Sequence, residues 1–356
     1  MKIAVLVSGG VDSSVALALL KNEGHDLTAF YLKVWMEEDF GFGECPWQED
    51  VEYVREVSEH LGIKNEIVPM QREYWQRVIE YTLAELREGR TPNPDMMCNR
   101  LIKFGAFHEK YGQEYDRIAS GHYAKLITDD AGRTHLMTNP DPVKDQTYFL
   151  SQMTYEQISR SLFPLGDMTK KEVREAAENL LLPTSKRPDS QGICFLGKIN
   201  FRDFLKKYVG EKKGPIIEKA TGKNLGTHKG FWFYTIGQRS GLNLAGGPWF
   251  VIEKDTRENI IYVSHGYDPE DVYVDEIVLD RFNWINPLPD FANGEKSARV
   301  RFKIRHSPVF YDGIVHKKSE QEYIIKPDEK IAAVAPGQFG VIYQNGECFG
   351  GGAICD

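Results

Sequence analysis

Cysteine is scarce and scattered in this chain. The five residues Cys45, Cys98, Cys194, Cys348 and Cys355 include no close pair. An odd number without C-x-x-C spacing argues against a disulfide framework and against a zinc or iron–sulfur site. No apolar run approaches the roughly 20 residues that a membrane helix needs, and the N-terminus lacks a signal-peptide pattern. A cytoplasmic protein with no membrane segment and with reduced thiols is the expectation. Internal repeats and low-complexity tracts are missing as well. What is present is 356 residues, 41% hydrophobic and 27% charged. Such a chain is soluble, globular and too long for one typical core, so two or three domains are expected.

A net charge of −8 looks unsuited to a polyanion partner, but the charge is unevenly spread. Lys33 to His60 holds two basic and nine acidic residues. Asn200 to Ser240 holds nine basic and three acidic, and Lys296 to Lys318 seven basic and one acidic. The second half therefore contains two basic regions where a nucleic acid could dock, although charge runs are usually only solvated faces.

Up to about residue 195, short apolar runs alternate with longer amphipathic ones. Strands are expected at Lys2–Val7, Asp26–Leu32, Asn65–Val68 and Arg117–Ser120. Helices are expected at Ser14–Asn22, Gln48–Leu61, Tyr74–Glu88, Cys98–Tyr111 and Lys170–Asn179. This alternation implies an α/β unit, a doubly wound parallel sheet with helices on both faces. After Phe201 glycine becomes frequent, helical periodicity stops, and strands are expected at Trp232–Ile236, Trp249–Glu253 and Ile260–Val263. From about Asp271 the runs Val272–Leu279, Ser297–Ile304, Val309–His316, Gln321–Ile325 and Phe339–Tyr343 read as a C-terminal β-barrel. The expected division is 1–198, a small central domain at 199–268, and 269–356.

The most informative stretch is Ser8-Gly9-Gly10-Val11-Asp12-Ser13-Ser14, between an apolar strand and an apolar-periodic helix. Two glycines allow successive N–H groups to converge on one anion. Asp12 and Ser13 sit where capping residues belong, and the helix N-terminus adds partial positive charge. The Gly-Lys-Ser/Thr ending of a Walker loop is missing. The segment resembles the pyrophosphate-binding loop of the ATP pyrophosphatases, enzymes that split ATP between its α and β phosphates and adenylate an oxygen that must leave. In a parallel sheet this loop, the acidic loop after Trp35 and Gly121-His122 share the carboxyl edge.

Cys98 follows Thr91-Pro92-Asn93-Pro94-Asp95-Met96-Met97. The prolines stiffen that loop, Asp95 can cap the next helix, and a thiol near a first helical turn has a lowered pKa. Cys194 lies in Asp189-Ser190-Gln191-Gly192-Ile193-Cys194-Phe195 after the basic pair Lys186-Arg187; a reactive and a structural role fit it equally. Two separate cysteines suit sulfur transfer, one carrying a persulfide and the other releasing it by disulfide formation. Phe231-Trp232-Phe233-Tyr234 reads as core, Cys45 as an incidental surface thiol, and Cys348 and Cys355 as packing residues.

These segments, with Ser120-Gly121-His122-Tyr123, Lys144-Asp145-Gln146-Thr147-Tyr148-Phe149-Leu150, Tyr234-Thr235-Ile236-Gly237-Gln238-Arg239, Pro336-Gly337-Gln338 and Gly350-Gly351-Gly352, resemble the bacterial tRNA-specific 2-thiouridylases over nearly the whole chain. The resemblance implies an adenine nucleotide alpha hydrolase-like first domain and ATP-dependent 2-thiolation of the wobble uridine in tRNAs for Lys, Glu and Gln. It implies ATP at Leu6, Val7, Ser8, Gly9, Gly10, Val11, Asp12 and Ser13, with Leu32 and Gly121 on the adenosine side and Asp12 contacting Mg2+. Asn93, Pro94 and Asp95 would meet the uracil, with Asp95 shuttling protons. Cys194 would carry the persulfide and Cys98 would free its sulfur. His122, Lys144, Asp145 and Gln146 would contact tRNA near the site, and Arg305 and Gln338 would bind the anticodon arm. His306 stands where the family commonly has Tyr, and a histidine there can still stack on a base or bond a phosphate of the tRNA. A sulfur donor such as a cysteine desulfurase or relay protein is an implied partner, and nothing in the sequence suggests an obligate dimer. The rival readings are an ATP-pyrophosphatase-type amidating synthetase acting on a small molecule, which leaves both cysteines without a task, and a tRNA-binding module using the fold as a scaffold.

Overall fold

The computed structural model describes residues 1–34, 46–188, 201–266, 270 and 273–355. Its first unit is built on β1 (Lys2–Leu6), whose neighbours β2 (Asp26–Lys33) and β4 (Arg117–Ser120) pair with it in parallel register. With β3 (Lys64–Pro69) and, later in the chain, β7 (Ser161–Leu162), the sheet order is β3-β2-β1-β4-β7. Side chains alternate across a strand, and the core divides accordingly. Ile3 and Val5 pack with Leu17 and Leu20 of α1 (Val11–Asn22) and with Val51, Val54 and Val57 of α2 (Pro46–Leu61). Ala4 and Leu6 face the opposite layer, where helices at 71–87 and 94–110 contribute Val78, Leu83, Met96 and Ile102. Both helices contain a wider π-helical stretch, Trp75–Ile79 in one and Asn99–Ala106 in the other. The chain leaves β1 for β2 on one side and returns to β4 on the other. The crevice at the carboxyl ends of β1 and β4 is therefore the topological switch point.

A four-stranded sheet follows, ordered β10-β11-β8-β9 from β8 (Gly214–Glu218), β9 (Asn224–His228), β10 (Trp249–Asp255) and β11 (Ile260–His265). Two expectations fail here. Trp232–Ile236 is not a strand: Phe231–Phe233 is a 3-10 turn. Its buried aromatics are Phe231 and Tyr234, three apart, which is the period of such a turn rather than of a strand. Helical order also continues past Phe201, since Phe201–Tyr208 is a helix whose Phe204 and Leu205 join the core of the first unit.

The last unit is a barrel. A short ribbon of β12 (Tyr273–Val274) and β17 (Ile331–Ala332) lies beside it. The wall runs β13 (Ile277–Trp284), β16 (Tyr323–Pro327), β15 (Tyr311–Lys317), β14 (Ser297–Lys303), β18 (Phe339–Gln344) and β19 (Glu347–Ile354), and β13 pairs with β19 to close it. Sequence pattern misses β19, because three consecutive glycines interrupt any alternation. They permit close approach: a Cβ on Gly350 would lie 2.0 Å from the Asn283 carbonyl oxygen. At its Glu347 end, ahead of the residues that pair with β13, β19 takes up a hairpin of the first unit, β5 (Lys125–Thr128) and β6 (Thr134–Met137), through the Glu347–Met137 register.

Barrel and first unit share one hydrophobic core, with Val341, Tyr343 and Cys348 packed among Met96, Tyr148 and Leu150. Within it lies an ion pair. Lys303 Nζ of β14 reaches Asp145 Oδ2 at 3.1 Å, with side chains 1% and 2% exposed. Asp145 also accepts from Thr147 Oγ1 (2.9 Å) and from the Asn139 N–H (3.2 Å). Removing one partner of such a pair strands a charge in low dielectric. Lys303→Met should lower stability by about 3 kcal/mol, and Asp145→Asn in the same chain should return part of the loss. Urea denaturation followed by near-UV dichroism checks both, and equal midpoints for wild type and Lys303→Met would refute the assignment.

Candidate active site

The loop after β1 is shaped by its own hydroxyls. Ser13 Oγ accepts from the Ser8 N–H (3.1 Å) and donates to the Gly10 carbonyl (3.1 Å), and Ser14 Oγ donates to the same carbonyl (2.8 Å). The helix cap is Gly10 itself, so Asp12 and Ser13 occupy the first turn rather than the cap position. Gly9 needs its glycine identity: φ is +73°, and a Cβ would stand 2.6 Å from the Asp50 carbonyl oxygen. Gly121, after β4, meets the same helix end, where a Cβ would lie 2.7 Å from Ser13 N.

These close approaches leave a cleft of about 310 Å³ at the switch point. Leu6, Val7, Ser8, Asp12 and Ser13 line one wall, and Leu32, Gly121, His122 and Gln146 line others. Cys98 also opens onto it, although the thiol-bearing residue is only 7% exposed. Gly9 and Gly10 belong to the loop without forming the lining, and Val11 turns into the core between α1 and the helix Lys170–Asn179. Residues spread from 6 to 146 thus meet in one recess.

The Cys98 helix opens at Pro94 and is capped by Asn93, whose Oδ1 accepts from the Met96 N–H (3.2 Å). Asp95, expected as the cap, sits one position inside the first turn, and Cys98 lies a full turn in. The barrel holds the approach to this helix. Pro336 accepts from the Thr91 N–H (2.7 Å), and Gln338 Nε2 donates to the Thr91 and Pro92 carbonyls (3.2 and 3.1 Å). Gln338 was expected on an RNA surface; here its amide fastens the loop before Asn93.

The expected tRNA contacts separate by depth. Arg305 and His306 are exposed on the turn after β14, and the His306 ring stands 4.6 Å from Phe149. Lys144 is half-buried, and the Asp145 carboxylate is turned inward to Lys303. Gln146 Oε1 accepts from the Tyr123 N–H (2.9 Å). His122 is 8% exposed and shares a 2.7 Å hydrogen bond between its Nδ1 and Ser120 Oγ. Burial, with Lys103 nearby, holds its pKa well below the usual histidine range. Cys348 is fully buried, and burial pushes its thiol pKa far up; Cys355 is half-buried. Cys45 and Cys194 lie outside the described residues.

Comparison with known proteins places this geometry. The family descriptions "tRNA methyl transferase HUP domain", "tRNA methyl transferase PRC-barrel domain" and "Aminomethyltransferase beta-barrel domain" match residues 1–198, 202–265 and 274–354 in that order. The tRNA-specific 2-thiouridylase MnmA of Parabacteroides distasonis is 51% identical over 100% of this chain and 99% of its own. That of Porphyromonas gingivalis is 49% identical over 99% of both, and MnmA 2 of Bacteroides fragilis 50% over 99% and 100%. The chain belongs to the tRNA-specific 2-thiouridylase family.

This 2-thiouridylase relative carries site residues that the sequence reading missed. Asp12 Oδ1 accepts from Lys170 Nζ (2.6 Å) and from the Tyr123 hydroxyl (2.7 Å). Lys170 opens a helix capped by Thr169, a place where the helix dipole disfavours a cation; that misfit was the available signal. Arg187, beside the expected Cys194 segment, donates to the Gly9 carbonyl (2.7 Å). Among the described residues no group of three His, Cys, Asp or Glu could hold a metal, and no helix is long and apolar enough to cross a membrane.

The neutral His122 gives a measurable pH dependence. Below the unperturbed value of 6.5 the unfolded chain takes up a proton that the folded site refuses. Its share of stability is therefore present above pH 6.5 and falls as pH drops, by up to about 1.4 kcal/mol per pH unit. His122→Gln should flatten that slope; unfolding free energies that fall identically in both proteins would contradict it.

Proposed function

We propose that this chain is an ATP-dependent tRNA uridine 2-sulfurtransferase. The observation that carries the reading is the meeting of the Ser8–Ser13 cradle, Gly121 and Cys98 on one cleft beneath a barrel that presents Arg305. Polyphosphate suits the cradle, where helix N–H groups and the Lys170 ammonium oppose its charge. The labels of two matched family descriptions name methyl transfer, but a sulfonium methyl donor carries no phosphate for this cradle to bind. An amidating synthetase would need an ammonia source, and the matches beyond residue 198 describe barrels instead.

In the proposed sequence the uridine 2-oxygen attacks the α-phosphorus of ATP and pyrophosphate leaves. The terminal sulfur of a Cys194 persulfide then attacks C2, loses its proton, and AMP departs with the oxygen. Cys98 thiolate attacks the Cys194 sulfur, the S–S bond to the base breaks, and 2-thiouridine leaves with a Cys98–Cys194 disulfide behind. A thiol reductant resets it. Asp95, half-buried one turn before Cys98, is the proposed proton carrier. Asn93 and Pro94 shape the uracil end, and Leu6, Val7 and Leu32 the adenosine end. Lys144 is assigned to the tRNA rim with Arg305 and His306 of the barrel, while His122 and Gln146 act from inside the cleft and Gln338 through the loop before Asn93. The Asp12 carboxylate, already bonded to Lys170 and Tyr123, fits Mg2+ delivered on the nucleotide's own phosphates rather than held by protein alone. The domain division 1–198, 199–268 and 269–356, a cytoplasmic monomer, tRNAs for Lys, Glu and Gln, and an external persulfide donor complete the proposal.

Purified protein, unmodified tRNA, ATP and a persulfide source test it. Pyrophosphate release should require tRNA, and nucleoside mass spectrometry should detect 2-thiouridine. Cys194→Ser should lose thiolation at least a hundredfold yet keep tRNA-stimulated pyrophosphate release within about threefold, by the logic that sulfur transfer follows adenylation. Thiolation by Cys194→Ser at the wild-type rate would rule out the persulfide assignment.

A further inference from the structure

Arg187 is not among the residues lining the cleft, yet it is bonded to the cradle at Gly9 and to Asp50, which does line it. Its side chain is 15% exposed. One guanidinium nitrogen donates to the Gly9 carbonyl (2.7 Å) and the other to Asp50 Oδ1 of α2. The guanidinium also stands 4.5 Å from the centre of the Tyr53 ring, one turn further along α2. Its own backbone carbonyl is held by Arg174 Nη1 (2.6 Å), from the helix that supplies Lys170. Gly9, Asp50 and Tyr53 thus fix the side chain, and Arg174 fixes the backbone that carries it.

A trans peptide points its C=O and the following N–H in opposite directions. Drawing the Gly9 carbonyl onto Arg187 therefore turns the Gly10 N–H the other way, away from the guanidinium. Gly9, at φ +73°, is a residue that can rotate this peptide at little cost. A flipped peptide would aim a carbonyl dipole at an incoming phosphate. The next carbonyl, that of Gly10, is drawn away by Ser13 and Ser14.

We infer that Arg187 is a positioning residue for the nucleotide: clamped by Asp50, it locks the Gly9–Gly10 peptide in the orientation that receives phosphate. The inference rests on the proposed nucleotide reading of this loop. It explains why a cation so close to the cradle is spent on a carbonyl and a carboxylate. Burial raises the Asp50 pKa despite Arg187, as expected for a carboxylate enclosed with its partner.

Calorimetric binding of ATP to the full chain, without tRNA, is the direct test. Arg187→Ala should weaken ATP binding and raise KM for ATP about tenfold, with KM for tRNA unchanged. Arg187→Lys should stay within threefold of the alanine variant, since one ammonium lacks the planar two-pronged reach. Asp50→Asn, which keeps the guanidinium bond to Gly9, should weaken ATP binding about threefold and add little to Arg187→Ala. ATP binding by Arg187→Ala within twofold of wild type, or full rescue by lysine, would overturn the inference. A wild-type chain that binds no ATP would instead remove the nucleotide reading itself, so the two failures are distinguishable.

Discussion

The buried contact between Lys303 and Asp145 orders much of what surrounds it. Two opposite charges in a dry core are tolerable only when each is fully engaged. Asp145 meets this through Lys303, Thr147 and the Asn139 backbone, while Lys303 also stands 4.2 Å from the Phe310 ring centre. The loop from 139 to 147 is therefore set by a cation that arrives from a strand 158 residues away. From that loop the order passes inward, Gln146 to the Tyr123 backbone and the Tyr123 hydroxyl to Asp12 in the first turn of α1. Barrel and cradle are linked by contiguous hydrogen bonds.

A second line runs from the barrel to the Cys98 helix. Pro336 and Gln338 fasten residues 91 and 92, and the Tyr148 hydroxyl donates to the Phe339 carbonyl (3.2 Å) in the same corner. Sheet addition supplies a third, through β6 on β19, with the Glu347 carboxylate shared between His135 (2.8 Å) and Asn286 (3.0 Å). Three attachments of different kinds make the barrel a structural member of the cleft onto which Cys98 opens. A positioning error at the barrel is thereby an error at Cys98.

The sequence pattern carried the parallel sheet, the glycine cradle and most barrel strands, because each depends on local periodicity or on glycine spacing. It carried the Cys98 loop through its two prolines, though the cap proved to be Asn93. Long-range partnerships were out of reach. Lys303 sits in a stretch of high positive charge and so counted toward a docking surface, yet it is interior. Arg187 and Lys170 look like ordinary surface cations until the fold brings Gly9 and Asp12 to them. β19 escaped notice because glycine chosen for close approach erases the alternation that marks a strand, and Phe231–Tyr234 misled because three-residue spacing resembles a strand when every neighbour is aromatic.

The amino-terminal half supplies the cradle and Cys98, but its loops are held by residues 303, 336 and 338. During synthesis the ribosome releases that half long before its fasteners exist. The geometry of the cleft is thus withheld until those residues have been made, and a chain cut short after residue 300 would lose the bonds that hold residues 91, 92 and 145 in place.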